Sequence, residues 1–172
     1  MTLIKDIKGI YPEFGSNHWL AENATIIGDV KMGDNCSVWY NAIIRGDVNS
    51  VIIGNNVNVQ DGAIIHNTYN KTKTIIGDHV SIAHNAVVHG CTIEDNVLVG
   101  IGAIILDNAY IESNSVIAAG SVVLENTRVT SGSIYGGIPA KCIKTLSPEM
   151  FKELNERVAN NYPKYAKWNN KA

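Results

Sequence analysis

Apolar residues recur every six positions along most of this chain, and few folds tolerate that period. Leu20, Ile26, Met32, Val38 and Ile44 form a first run. Ile53, Val59 and Ile65 form a second, and Ile76, Ile82 and Val88 a third. The last run holds Ile93, Val99, Ile105, Ile111, Ile117, Val123 and Val129. Four residues after most of these rungs stands a smaller residue: Ala24, Val30, Cys36, Ala42, Val48, Val57, Ala63, Val80, Ala86, Ala103, Ala109, Ser115 or Ser121. Self-similarity at a fixed short period is the mark of a solenoid, and six residues is the β-helix case. Each short strand turns one large and one small side chain inward, and neither is buried until the next coil stacks on it. An ordinary amphipathic strand has period two and does not sustain such a ladder. The abundance of Asn suits the tight corners, where left-handed backbone angles are common.

Three six-residue strands make one triangular coil. Rungs three apart therefore share a face in neighbouring coils, ~4.8 Å from one another. Ile44, Ile65 and Val88 stand in that relation once the irregular spacings are treated as loops. The residues directly after them are Arg45, His66 and His89. They should stack on one outer face, where His66 and His89 can share a metal. His84 follows Ile82 by two and belongs to another face, beside Gln60 and Asp61. Three histidines with room for a water describe a catalytic zinc site better than a structural one. One chain cannot bring His84 round its own corner to the other two. The site closes only if a neighbouring copy presents its His84, which calls for a cyclic assembly with heterologous contacts.

The segment Trp39-Tyr40-Asn41-Ala42-Ile43-Ile44-Arg45-Gly46-Asp47-Val48 carries a resemblance, together with Asn58-Val59-Gln60-Asp61-Gly62, His66, His84 and His89. It resembles the γ-class carbonic anhydrase family over roughly residues 10 to 145, ending at Gly137-Ile138-Pro139-Ala140-Lys141. The resemblance implies an all-β solenoid, a left-handed parallel β-helix of hexapeptide repeats, over 1–145, with a C-terminal α-helix over 146–172 packed on it. It implies a homotrimer with one metal per interface, held by His66 and His89 of one subunit and His84 of the next. Zn²⁺ is the expected metal, and Fe²⁺ or Co²⁺ fit the same ligands. Arg45 and Asp47 would join the interface salt-bridge network. Gln60 would hold the catalytic water or hydroxide, with Asp61 beside it. The implied reaction is reversible hydration of CO₂ to bicarbonate. The family's best-studied form has two glutamates implicated in proton transfer; here those positions read Val48 and Tyr69, as in a shorter subclass.

Two other functions stay open on the sequence. Many hexapeptide β-helices are acyltransferases that use an acyl-CoA, though such enzymes usually carry a long projecting loop and one catalytic histidine. A non-catalytic metal-binding trimeric scaffold would also retain the three histidines without the glutamates. A net charge of −2 and a pI near 6.2 give no case for nucleic acid or an anionic membrane. No apolar run reaches 18 residues and no signal-peptide pattern is present. Cys36, Cys91 and Cys142 are odd in number and widely spaced, with Cys36 on an inward position, so the cytoplasm is the expected compartment. His18 and His79 read as surface residues. Tyr135 precedes the exit sequence and could reach a site edge. Ser147-Pro148-Glu149 reads as the start of a helix, with Phe151, Leu154, Val158 and Tyr162 as its apolar stripe. Pro163 should end or kink it.

Overall fold

The six-residue ladder closes into a left-handed parallel β-helix of about seven turns, followed by a single C-terminal helix. The structure, a computed structural model, describes residues 1–169. Its strands form the three faces of a prism. The first face runs through Ile43–Arg45 and the strands Ile64–His66, Val87–His89, Ile104–Ile105 and Val122–Val123. The second runs through Ile52, Thr74–Ile76, Thr92–Ile93, Tyr110–Ile111 and Arg128–Val129. These two faces belong to one sheet, because the long strands Thr25–Met32 and Ile43–Ile53 bend round their shared edge. The third face is a separate sheet from Trp19–Leu20 to Ser133–Gly136, closed by the antiparallel strand Lys141–Thr145.

Burial explains why the period holds. Seventeen of the rungs named above are buried, from Ile26 to Val129, and Leu20 at the open end is half-buried. Rungs stack in register: Ile44 pairs with Ile65, Ile65 with Val88, Val88 with Ile105 and Ile105 with Val123. Each ladder thus fills the prism axis with identical or near-identical aliphatic shapes, the dense packing that core stability depends on. Ile105→Ala, at the middle of one ladder, should cost about 2–5 kcal/mol of stability. A marked fall in the thermal unfolding midpoint checks this.

One inward position departs from the simple period. Val48 is only half-buried, and Val51 takes the interior place at 0 % exposure. The cause is a register shift opposite Gly28 to Val30, where Gly46 and Val51 become the partners and the residues between bulge outward. The corners behave as the Asn content suggests. Asn35, Asn41, Asn56, Asn85, Asn96, Asn108, Asn114 and Asn126 all have φ between 57° and 60°, and His79 occupies an equivalent corner at 56°. Asn tolerates this region best among residues with a side chain.

The helix begins as its sequence suggests. The Ser147 hydroxyl accepts from the Met150 amide at 3.3 Å, and Pro148 occupies the first turn. Pro163 does not end it: the chain stays helical from Pro148 to Asn169, with a π-helical turn at Lys152–Glu156. Contacts on both sides of Pro163 outweigh the lost hydrogen bond. The Tyr162 ring stands edge-on to Trp39 at 5.1 Å, and Ala166 is buried. The helix therefore lies along the third face. None of the described helices is long and apolar enough to cross a membrane.

Candidate metal centre

His66 and His89 come together on the first face because their strands pair in register. Nδ1 of His66 lies 3.3 Å from Nε2 of His89. Two imidazole nitrogens bound ~2.0–2.1 Å from one tetrahedral zinc ion stand about 3.4 Å apart. The pair is thus already spaced for a shared ion. Asp107 fixes one tautomer: Nδ1 of His89 donates to its Oδ1 at 2.6 Å, which leaves Nε2 with a free lone pair. Asp107 is itself held by the Thr68 hydroxyl at 2.5 Å. Burial raises the Asp107 pKa, but the hydrogen bonds from Thr68 and His89 outweigh it and hold the carboxylate below its usual range.

His66 is held from its other side. Its Nε2 is 3.0 Å from Asp47 Oδ1 and 2.9 Å from an Arg45 guanidinium nitrogen. In the tautomer that donates its Nε2 proton to Asp47, Nδ1 faces His89 as an acceptor. Burial, then the neighbouring Arg45 charge, lowers the His66 pKa and favours the neutral ring a metal needs. Arg45 and Asp47 also pair directly at 3.3 Å. The Nε atom of Arg45 is buried and has no hydrogen-bond partner among the described residues.

Gln60, Asp61 and His84 form a second cluster on the third face. Nδ1 of His84 donates to Asp61 Oδ2 at 2.9 Å. Its Nε2 accepts from the Tyr162 hydroxyl at 3.3 Å. Gln60 is buried, and its amide donates to Asn58 at 2.9 Å, which in turn donates to Ser81 at 2.8 Å. Gln60, His84 and Tyr162 line a groove of about 500 Å³ between helix and face, walled by Leu98, Ile101 and Val116. Burial, and then the Asp61 charge, push the Tyr162 phenol up to about 12.

The two clusters stay apart within one chain. Among the described residues, no three His, Cys, Asp or Glu side chains gather closely enough to hold a metal. His66 and His89 meet, and His84 does not join them. His18 is exposed and hydrogen-bonds Gly15 through Nδ1, and His79 is an exposed corner residue. Cys36 and Cys91 are buried thiols whose pKa values burial raises to about 11 and about 12. Sequence reasoning did not find Asp107, Thr68 or the contact from Tyr162. A signal for Asp107 existed, because Ile105 pairs with Val88 and places Asp107 above Gly90, one residue past His89.

Residues 90–125 match the bacterial transferase hexapeptide family (six repeats). The chain is 41 % identical over 160 residues to a carbonic anhydrase of Geobacillus kaustophilus, an alignment covering 93 % of this chain and 87 % of the relative. It is 42 % identical over 147 residues to gamma carbonic anhydrase 2, mitochondrial, of Arabidopsis thaliana, covering 83 % of this chain and 53 % of that one. A solved structure titled putative acetyltransferase, from Bacillus cereus, superposes with a TM-score of 0.93 at 36 % identity, covering 97 % of this chain and 96 % of that chain. With that identity carried over nearly the full length of the Geobacillus protein, the chain belongs to the γ-type carbonic anhydrase family of hexapeptide-repeat proteins.

Proposed function

We propose that this protein is a metal-dependent carbonic anhydrase whose centre is shared between two subunits of a homotrimer. His66 and His89 of one subunit and His84 of the next are its ligands. The observation that carries this reading is the 3.3 Å approach of His66 Nδ1 to His89 Nε2, with Asp107 holding the outer nitrogen of His89. His84 is prepared in the same way, with Asp61 on Nδ1 and Nε2 turned to the groove. Two carboxylate-oriented half-sites on different faces of one prism suit a ring of copies.

A divalent metal at three neutral imidazoles lowers the pKa of a bound water to about 7, so hydroxide is available near neutral pH. Zn²⁺, Fe²⁺ and Co²⁺ all suit nitrogen ligands. This chain's residues then do the rest. Asp107 and Asp61 hold ligand tautomers. Arg45 and Asp47 keep His66 in place and, at the rim of an interface, tie the subunits together; the unpartnered Arg45 Nε is a donor left for that contact. Gln60 orients the reacting oxygen from a fixed position, because its amide nitrogen is anchored on Asn58. CO₂ enters along the apolar wall of the groove. A small, uncharged substrate needs no charged binding residue, and Leu98, Ile101 and Val116 offer none.

Proton removal is the weak step. A good shuttle has a pKa near the operating pH. Val48 cannot ionise, and Tyr69 is an exposed phenol of a type with a reference pKa of about 10. Stopped-flow CO₂ hydration by fully metallated protein should therefore quicken as imidazole buffer is raised, and slow severalfold in dilute or bulky buffer. Fast turnover indifferent to buffer would mean another group moves the proton. A metallated trimer with no hydration at all would overturn the catalytic reading.

One observation favours a second reading, acyl transfer: the Bacillus cereus structure that superposes so closely is titled putative acetyltransferase. A stoichiometric metal in the purified protein separates the two, since acyl transfer from a thioester does not require one.

A further inference from the structure

His84 has one nitrogen to offer a metal, and in the isolated chain that nitrogen is in use. Asp61 takes the Nδ1 proton at 2.9 Å, so Nε2 must be the acceptor. The Tyr162 hydroxyl is 3.3 Å from it. A phenol proton and a metal ion need the same lone pair and cannot hold it together. Tyr162 is also no casual neighbour. Its ring stands edge-on to Trp39 at 87°, and Trp39 is buried and pinned by donation from its indole nitrogen to Ser37 at 3.0 Å. Tyr165 also packs edge-on to the Tyr162 ring, with ring centroids 5.6 Å apart. The hydroxyl is therefore delivered to His84 by the docked C-terminal helix, and it sits in the groove that Gln60 also lines.

Resting on His84 being a ligand, we propose that Tyr162 is the positioning residue of that half-site and its internal stand-in for metal. The phenol holds His84 Nε2 pointed into the groove until an ion displaces it. The hydrogen bond keeps the imidazole from turning to solvent, since the His84 side chain is 41 % exposed. The same bond sets a threshold that weakly bound ions do not cross. Metal loading and the seating of the helix are in this way coupled through one side-chain contact.

Tyr162→Phe tests the idea, because Phe keeps the ring against Trp39 and removes only the hydroxyl. Metal-free protein of the parent and variant is titrated with Co²⁺, and the visible absorption of the bound ion is followed against a competing chelator. A single neutral hydrogen bond removed as competitor should tighten Co²⁺ binding by about three- to tenfold. Asp61→Asn should act in the opposite direction, since it loosens the tautomer instead of freeing the lone pair. Co²⁺ affinity in Tyr162→Phe equal to or weaker than the parent's would overturn the stand-in role, while leaving His84 as a ligand. His84→Ala binding Co²⁺ as tightly as the parent would overturn both the ligand assignment and the inference built on it.

Discussion

Protein carrying His66→Ala alone, or His84→Ala alone, should lose nearly all bound metal, and mixed trimers of the two should win part of it back. Each variant removes one ligand from every interface when it assembles with itself. In a mixed trimer, one kind of interface escapes both losses. It takes His66 and His89 from a His84→Ala chain and His84 from a His66→Ala chain. In a closed ring of three that contains both kinds of chain, one interface of the three is of this kind whichever chain is in the majority, so purified mixed trimers should recover about one third of the parent's metal. The two chains would carry different affinity tags, be co-expressed, and be purified through both before elemental analysis. The arrangement behind the prediction is that the two half-sites occupy different faces of the prism and do not meet within a chain. Verified mixed trimers with no recovered metal would mean that one chain supplies all three ligands.

Gly90→Asn should come close to abolishing metal binding and should also destabilise the fold, whereas Gly102→Asn should do neither. Both glycines sit at corners with left-handed backbone, φ 56° and 65°. Backbone strain alone does not separate them, since Asn holds the same conformation at eight corners named above. What differs is the space around them. A Cβ on Gly90 would fall onto the Asp107 carboxylate and the Thr72 hydroxyl, while one on Gly102 meets nothing within 4 Å. Asp107 cannot stay and leave His89 oriented, and loss of such an outer partner typically lowers metal affinity 10–100-fold on its own. Displacing Thr72 compounds the damage, because its hydroxyl accepts from the Thr68 amide that shapes the same loop. Thermal midpoints and metal content of the two variants, measured side by side, read the difference.

Much of this architecture was legible in the sequence because a β-helix repeats one physical requirement. Every coil must place an aliphatic side chain over the last, so the rungs from Ile26 to Val129 announce themselves. The same count separated His84 from His66 and His89, since stacking follows from rung number. Where the chain leaves the period, the reading weakened. Val48 was assigned inward by arithmetic, but the bulge in Ile43–Ile53 hands that place to Val51. Asp107 lies two past Ile105, the offset that His84 has from Ile82, but it stands one coil beyond His89 and at a different offset from its rung, so rung-by-rung stacking does not pair the two. Its reach to His89 depends on Gly90 leaving room between them. Tyr162 stood out as part of an apolar helical stripe. Its hydroxyl touches a residue 78 positions earlier, and no periodicity encodes where a helix docks. Pro163 does not end the helix for a related reason, as tertiary contacts at Tyr162 and Ala166 override a local preference.

The proposed shared centre can be tested directly. Crystals of the protein grown with Zn²⁺ or Co²⁺ would be measured on both sides of that metal's absorption edge. The anomalous map should hold one strong peak per subunit interface, bounded by Nδ1 of His66 and Nε2 of His89 from one subunit and Nε2 of His84 from its neighbour. A peak whose protein ligands all come from a single chain, or an interface with no peak in a metal-loaded crystal, would contradict the account.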